Sequence, residues 1–143
     1  MKFDYKNYGA NAEGVATIKP IIPITLRGSE SIRYEVLVDS GADICIFDLE
    51  IAELIGIDVR KGDKVLFAGV TGSPRIAYMH DVDIEVGGHV FTTRVSFATL
   101  PAYSYGIVGQ RGFFDHFRVI FDYHKKQVEL REKTKQPTRR TRN

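Results

Sequence analysis

Few residues in this chain combine the type and spacing that chemistry needs. Tyr34-Glu35-Val36-Leu37-Val38-Asp39-Ser40-Gly41-Ala42-Asp43 is an apolar strand that delivers a carboxylate, Asp39, into a tight turn. Partial burial there would make Asp39 a candidate acid or base. Ser40 can hydrogen-bond nearby backbone, and Gly41 lets another backbone approach closely. The plainer alternative is an Asp-Ser-Gly turn closing a strand. The other reactive types sit in less favourable settings. His80, His89, His116 and His124 show no pair at metal-ligand spacing, so no metal site is expected. Cys45, the single cysteine, lies between Ile44 and Ile46 and reads as a core thiol. Asp81, Asp83 and Glu85 alternate with Val82, Ile84 and Val86. Thr92 stands where a calcium loop needs a bidentate Glu, so these acids read as the polar face of a strand. Gly69-Val70-Thr71-Gly72-Ser73-Pro74 lacks the Gly-Lys-Ser/Thr of a phosphate loop. Phe113, Phe114 and Phe117 suit a core or a subunit contact better than a base-stacking surface.

The elements that must position Asp39 are mostly short strands with turn punctuation, which predicts an all-β domain. Ile18 to Leu26 reads as one strand, and Pro20 and Pro23 push it toward a sheet edge. Arg27-Gly28-Ser29-Glu30 is a turn, and Ile32 to Val38 alternates. Asp48 to Ile55 is the best helix, capped by Asp48, ended by Gly56, with Phe47, Ile51, Leu54 and Ile55 on its apolar face. Lys64 to Ala68 and Ile76 to Met79 flank a glycine-rich hairpin tip at Gly69 to Pro74. Gly87-Gly88 turns the chain into Val90 to Phe97, and Tyr105 to Val108 runs into Gly109. Gly112 to Phe117 reads as a second short helix. Val119 to Tyr123 and Gln127 to Leu130 make a last hairpin.

At 143 residues, 43% apolar and 27% charged, the chain has ordinary globular composition and the length of one domain. A single cysteine excludes an intrachain disulfide. No apolar run approaches the roughly 20 residues that span a bilayer, and the N-terminus is polar. A soluble, cytoplasmic protein of a reducing compartment is expected. The net charge of +2 divides into +5 over residues 131–143 and −3 over the rest. That basic tail has no apolar residue except Pro137 and no aromatic to stack a base, so a solvated, disordered tail is expected rather than a nucleic-acid site.

Val38-Asp39-Ser40-Gly41-Ala42 resembles the active-site motif of the retropepsin-like aspartic proteases, a hydrophobic residue followed by Asp-Thr/Ser-Gly-Ala. Further landmarks follow in the family's order: a glycine-rich flap hairpin at Gly69 to Pro74, a hydrophobic-hydrophobic-Gly strand at Ile107-Val108-Gly109, and a short helix with a final strand pair over Phe113 to Leu130. The resemblance implies a closed all-β acid-protease barrel with one or two short helices and half an active site per chain. It divides the chain into an N-terminal extension (1–17), the protease domain (18–130) and the tail (131–143). It further implies that Asp39 is catalytic, with Ser40, Gly41 and Ala42 supporting its loop. Gly41, Asp43, Gly69, Val70, Thr71 and Gly72 would meet substrate, Gly41 through its carbonyl. Viral members often place Arg directly after the late glycine and pair it with the acid four residues past the catalytic Asp. Asp43 fits that acid, but Gln110 follows Gly109 and Arg111 comes one later.

This chemistry uses two carboxylates sharing one proton, because two such groups about 3 Å apart cannot both ionise. The chain has one Asp-Ser-Gly, and Asp122, between Phe121 and Tyr123, is poorly placed to be its partner. The second carboxylate is therefore expected from Asp39 of a twin chain across a two-fold axis. The expected protein is a homodimeric aspartic endopeptidase without cofactor, acting on a peptide or protein. A dimeric peptide-binding module of the same fold with little or no hydrolysis is the alternative.

Overall fold

The computed structural model describes residues 1–67, 72–101 and 104–133. Among these residues twelve strands run β1 (Lys2–Asp4), β2 (Lys6–Ala10), β3 (Ala16–Lys19), β4 (Ile21–Arg27), β5 (Ser31–Val38), β6 (Ile46–Asp48), β7 (Asp63–Phe67), β8 (Arg75–Val86), β9 (His89–Ala98), β10 (Gly106–Val108), β11 (Phe117–Asp122) and β12 (Gln127–Glu132). One α-helix, α1 (Leu49–Leu54), follows β6, and a 3-10 turn spans Val59–Lys61. The all-β class with one short helix is as expected.

The largest sheet has the order β4-β5-β10-β6-β9-β8-β7, and β4 also pairs with β8, so six of its strands close into a ring. Two pairings, β5 with β10 and β6 with β9, are parallel. Alternation builds the interior: Ile22, Ile24 and Leu26 of β4, Tyr34, Val36 and Val38 of β5, Val82, Ile84 and Val86 of β8, and Val95 and Phe97 of β9 are all buried. In β5 the intervening residues Arg33, Glu35 and Leu37 are exposed or half-buried, which gives this strand an inner and an outer side. A second sheet, β1-β12-β11, closes over Val128, Leu130 and Phe117. Phe3 pairs opposite Val128, and the Met1 amino group donates to the Leu130 carbonyl at 2.9 Å. The β2–β3 hairpin forms a third, separate sheet.

Local differences from the sequence reading have physical causes. The expected strand Ile18–Leu26 is two, because Pro20 offers no N–H and breaks the ladder between β3 and β4. Nor is β4 an edge throughout: Thr25 to Arg27 pair with β8 on one side and β5 on the other. Pro23 is tolerated because it lies before the β8 pairing begins and pairs with Glu35 alone. Asp48 caps α1 by accepting from the Glu50 N–H at 3.0 Å, and Gly56, at φ +84°, ends it. The helix buries Ala52 and not Leu54, which is 58% exposed. No second helix forms at Gly112 to Phe117. Gly112 adopts φ +98°, and Asp115 caps its N–H at 3.0 Å. Consecutive turns take the place of the helix, and Phe113 and Phe117 are both sunk in the core.

Candidate active site

Strands β5 and β10 run parallel, and both end at the same place, one in Asp39 and the other in Gly109. Their ladder continues one step past the strands, with the Asp39 N–H donating to the Val108 carbonyl at 3.0 Å. The chain then turns sharply. Asp39 Oδ1 accepts the Gly41 N–H at 2.9 Å, and the Asp39 carbonyl accepts the Ala42 N–H at 3.3 Å. Asp39 is half-buried, while Ser40, Gly41 and Asp43 are exposed. One carboxylate oxygen is thus engaged by its own loop, which fixes the side chain, and the group still reaches solvent.

The second loop locks onto the first. The Gln110 N–H donates to the Ala42 carbonyl at 2.8 Å and the Arg111 N–H to the Asp43 carbonyl at 2.9 Å. The Gln110 carboxamide reaches further and donates from Nε2 to the Ser40 carbonyl at 2.9 Å. Gly109 is buried here, and a Cβ on it would stand 2.5 Å from the Ala42 carbonyl oxygen and 2.6 Å from that of Ile44. No residue but glycine lets the two loops meet this closely.

Cys45 lies beneath this junction, fully buried. Its Sγ accepts the Gly109 N–H at 3.4 Å, and its thiol faces the Arg111 carbonyl at 3.6 Å. Burial pushes the thiol pKa up to about 12, outweighing the Gly109 hydrogen bond, so the group is a neutral packing element and not a nucleophile. Tyr34 braces the other side. Its hydroxyl accepts the Asp48 N–H at 3.1 Å, and burial raises its pKa to about 12.

The structure therefore brings Asp39, Ser40, Gly41, Ala42 and Asp43 together with Ile107, Val108 and Gly109. Gly69, Val70 and Thr71 lie outside the described residues. The stems on either side are β7 and β8, paired from Asp63↔Met79 to Phe67↔Arg75, and Gly72 is exposed between them. Among the described residues Asp43 makes no ion pair, with Arg111 or any other cation, and no group of three metal-type ligands occurs. Burial lowers the His116 pKa, and its ring sits 3.2 Å from the Thr93 hydroxyl, away from Asp39. Sequence reading gave Gln110 and Cys45 no part in holding the loop. Both act through contacts more than sixty residues apart along the chain, which no local pattern carries.

The arrangement is a carboxylate on a rigid, glycine-bearing turn, held open to solvent at the rim of a closed β-sheet. Over residues 22–111, from β4 to the loop that locks Asp39, the sequence matches the aspartyl protease family, and the chain belongs to it. Its fold is that of the retropepsin-like members. A retropepsin-like aspartic protease from Rickettsia conorii superposes with a TM-score of 0.58 at 16% identity, covering 90% of this chain and 97% of that one. The retroviral protease-like domain of Ddi1 from Leishmania major superposes with a TM-score of 0.57 at 19% identity, covering 78% and 87%. No curated protein matches the chain. Among the described residues, no helix is long and apolar enough to cross a membrane.

Proposed function

We propose that the protein is an aspartic endopeptidase that works as a homodimer, with Asp39 of each chain forming the catalytic pair. The observation that carries this is the site itself: one half-exposed carboxylate, fixed by the Gly41 N–H, in a family whose name describes this chemistry. Five other aspartates are committed elsewhere. Asp48 caps α1, Asp115 caps Gly112, Asp63 and Asp81 pair with Arg94, and Asp122 accepts from the Lys125 N–H. Asp43 is on the same loop but exposed. A second chain placed by a two-fold axis beside Asp39 completes the site with no further residue type.

In the paired site one carboxyl is ionised and one protonated. The ionised Asp39 takes a proton from a water lying between the two, and that water attacks the scissile carbonyl carbon. The protonated Asp39 gives its proton to the carbonyl oxygen. The pair then passes a proton to the leaving amine as the tetrahedral centre collapses. Ser40 braces the two loops across the axis. The exposed Gly41 carbonyl and Asp43 hold the substrate backbone, and the hairpin carrying Gly69, Val70, Thr71 and Gly72 covers it and excludes water.

The test is cleavage of a peptide library between pH 4 and 9 by the wild type and by Asp39→Asn. A bell-shaped profile is expected, one limb for ionisation of each member of the pair. Asp39→Asn removes base and acid together, so a loss of at least about 10²-fold is expected, with an unchanged circular dichroism spectrum. Wild-type turnover by the asparagine variant, or a rate still rising at pH 9, would contradict the proposal.

A further inference from the structure

Glu35, Leu37 and Asp39 alternate with the buried Tyr34, Val36 and Val38, so they share the outer side of β5. In the proposed complex a substrate strand lying across Asp39 runs beside the Asp39 end of this side. Two residues from opposite neighbours meet there. Lys19 ends β3 and enters β4, which flanks β5 on one side. The β4–β5 ladder pairs Ile21 with Leu37, and the Val38 N–H donates to the Pro20 carbonyl, so the next step of that register sets Lys19 level with Asp39. Tyr105 precedes β10, which flanks β5 on the other side. Gly106 pairs with Val36, so Tyr105 is level with Glu35. Lys19 Nζ nevertheless donates to the Tyr105 hydroxyl at 2.8 Å. The two side chains must therefore cross over β5 between Glu35 and Asp39, within about 13 Å of the catalytic carboxylate at roughly 3.3 Å per residue.

The charges of this crossing do not cancel. Lys6 of β2 pairs with Glu35, and Tyr8 packs edge-on against Tyr105 with ring centres 5.1 Å apart. Lys19 is half-buried and makes no ion pair among the described residues; its ammonium gives one proton to Tyr105 and keeps two donors. A partly desolvated cation with free donors, beside the path of a bound peptide, attracts a carboxylate. We infer that Lys19, held by Tyr105 and walled by Tyr8, is a specificity-determining residue that selects substrates carrying an Asp or Glu side chain two to four residues from the scissile bond. This rests on the endopeptidase reading above and adds the substrate class to it.

A peptide series with Glu, Gln or Lys scanned through the four positions on each side of one cleaved bond tests this, read as the ratio of kcat/KM within each enzyme. Wild type is expected to favour Glu over Lys at one such position by about tenfold or more. Lys19→Glu should reverse that ratio, and Tyr105→Phe, which frees the ammonium without removing it, should weaken it. A role of Lys19 in merely holding the β2–β3 hairpin could lower all rates together but could not invert a charge preference. If the wild type shows no charge preference, or Lys19→Glu keeps the wild-type one, the acidic subsite is wrong and the endopeptidase reading stands. If no peptide in the series or the library is cleaved, both fall.

Discussion

Gln110 is the residue whose contribution a reader of the chain alone would undervalue. Its carboxamide holds the Ser40 carbonyl from a position seventy residues away, and its own N–H holds Ala42. The side chain is exposed, so Gln110→Ala is expected to cost no more than about 1 kcal/mol of stability. Freeing Ser40 loosens the turn that aims Asp39, and misplacement of that kind lowers kcat by about ten- to a hundredfold. Thermal unfolding and peptide turnover of that variant separate the two effects; a fall in both together would make Gln110 a stability residue only. Cys45 makes a prediction in pH. Its folded pKa of about 12 exceeds the ordinary value of 9.0. Below about pH 8 the thiol is neutral in both states and stability is unaffected. As pH climbs from there toward 12 the unfolded thiol ionises and the folded one does not, so stability falls. Tyr34, raised from 10.0 to about 12, adds to the fall. Denaturant midpoints at pH 7, 9 and 11 should drop at the alkaline end, and less steeply for Cys45→Ala than for wild type. Asp39 was legible because a carboxylate after an apolar strand and before Ser-Gly is a strong local signal. The partners that aim it were not, because each is a tertiary contact.

At the scale of elements, alternation carried most of the fold. Ile32 to Val38 and Asp81 to Val86 read correctly as half-buried strands because their period of two survives in the burial pattern. Asp48 and Gly56 marked the ends of α1 through capping chemistry. The reading failed where a short segment has no period to test. Gly112 to Phe117 is too brief to separate a helix from consecutive turns, and the positive φ of Gly112 decided it. The split at Pro20 was written in the proline, whereas the tolerance of Pro23 inside β4 depended on the β8 pairing reaching only to Thr25. The hairpin built on β7 and β8 yields the prediction of this scale. Gly72 is exposed, and a Cβ there would meet nothing within 4 Å. Gly72→Val therefore leaves packing alone and acts on backbone freedom. If the hairpin closes over substrate, that variant should lose turnover and bind a peptide inhibitor more slowly, with its melting temperature little changed. Unchanged turnover and association would remove the hairpin from the mechanism.

The whole molecule is half of a machine in this account. The closed ring of β4, β5, β10, β6, β9 and β8 stiffens one Asp39 loop, and nothing else in the described residues offers a second carboxylate on an equivalent turn. The proposal of a twin rests on the count of Asp-Ser-Gly motifs. How a twin would sit is not legible in the sequence, because an interface is a property of two surfaces and leaves no periodic trace in one chain. The direct test mixes wild type with Asp39→Asn in equal amounts, allows subunits to exchange, and measures peptide hydrolysis per wild-type chain. Sedimentation on the same samples gives the oligomeric state. If the catalytic pair spans two chains, half the partners of each wild-type chain lack the carboxylate, and activity per wild-type chain falls to about half. Activity per wild-type chain that stays constant across the mixing series would show that one Asp39 suffices, and the two-chain site would be wrong.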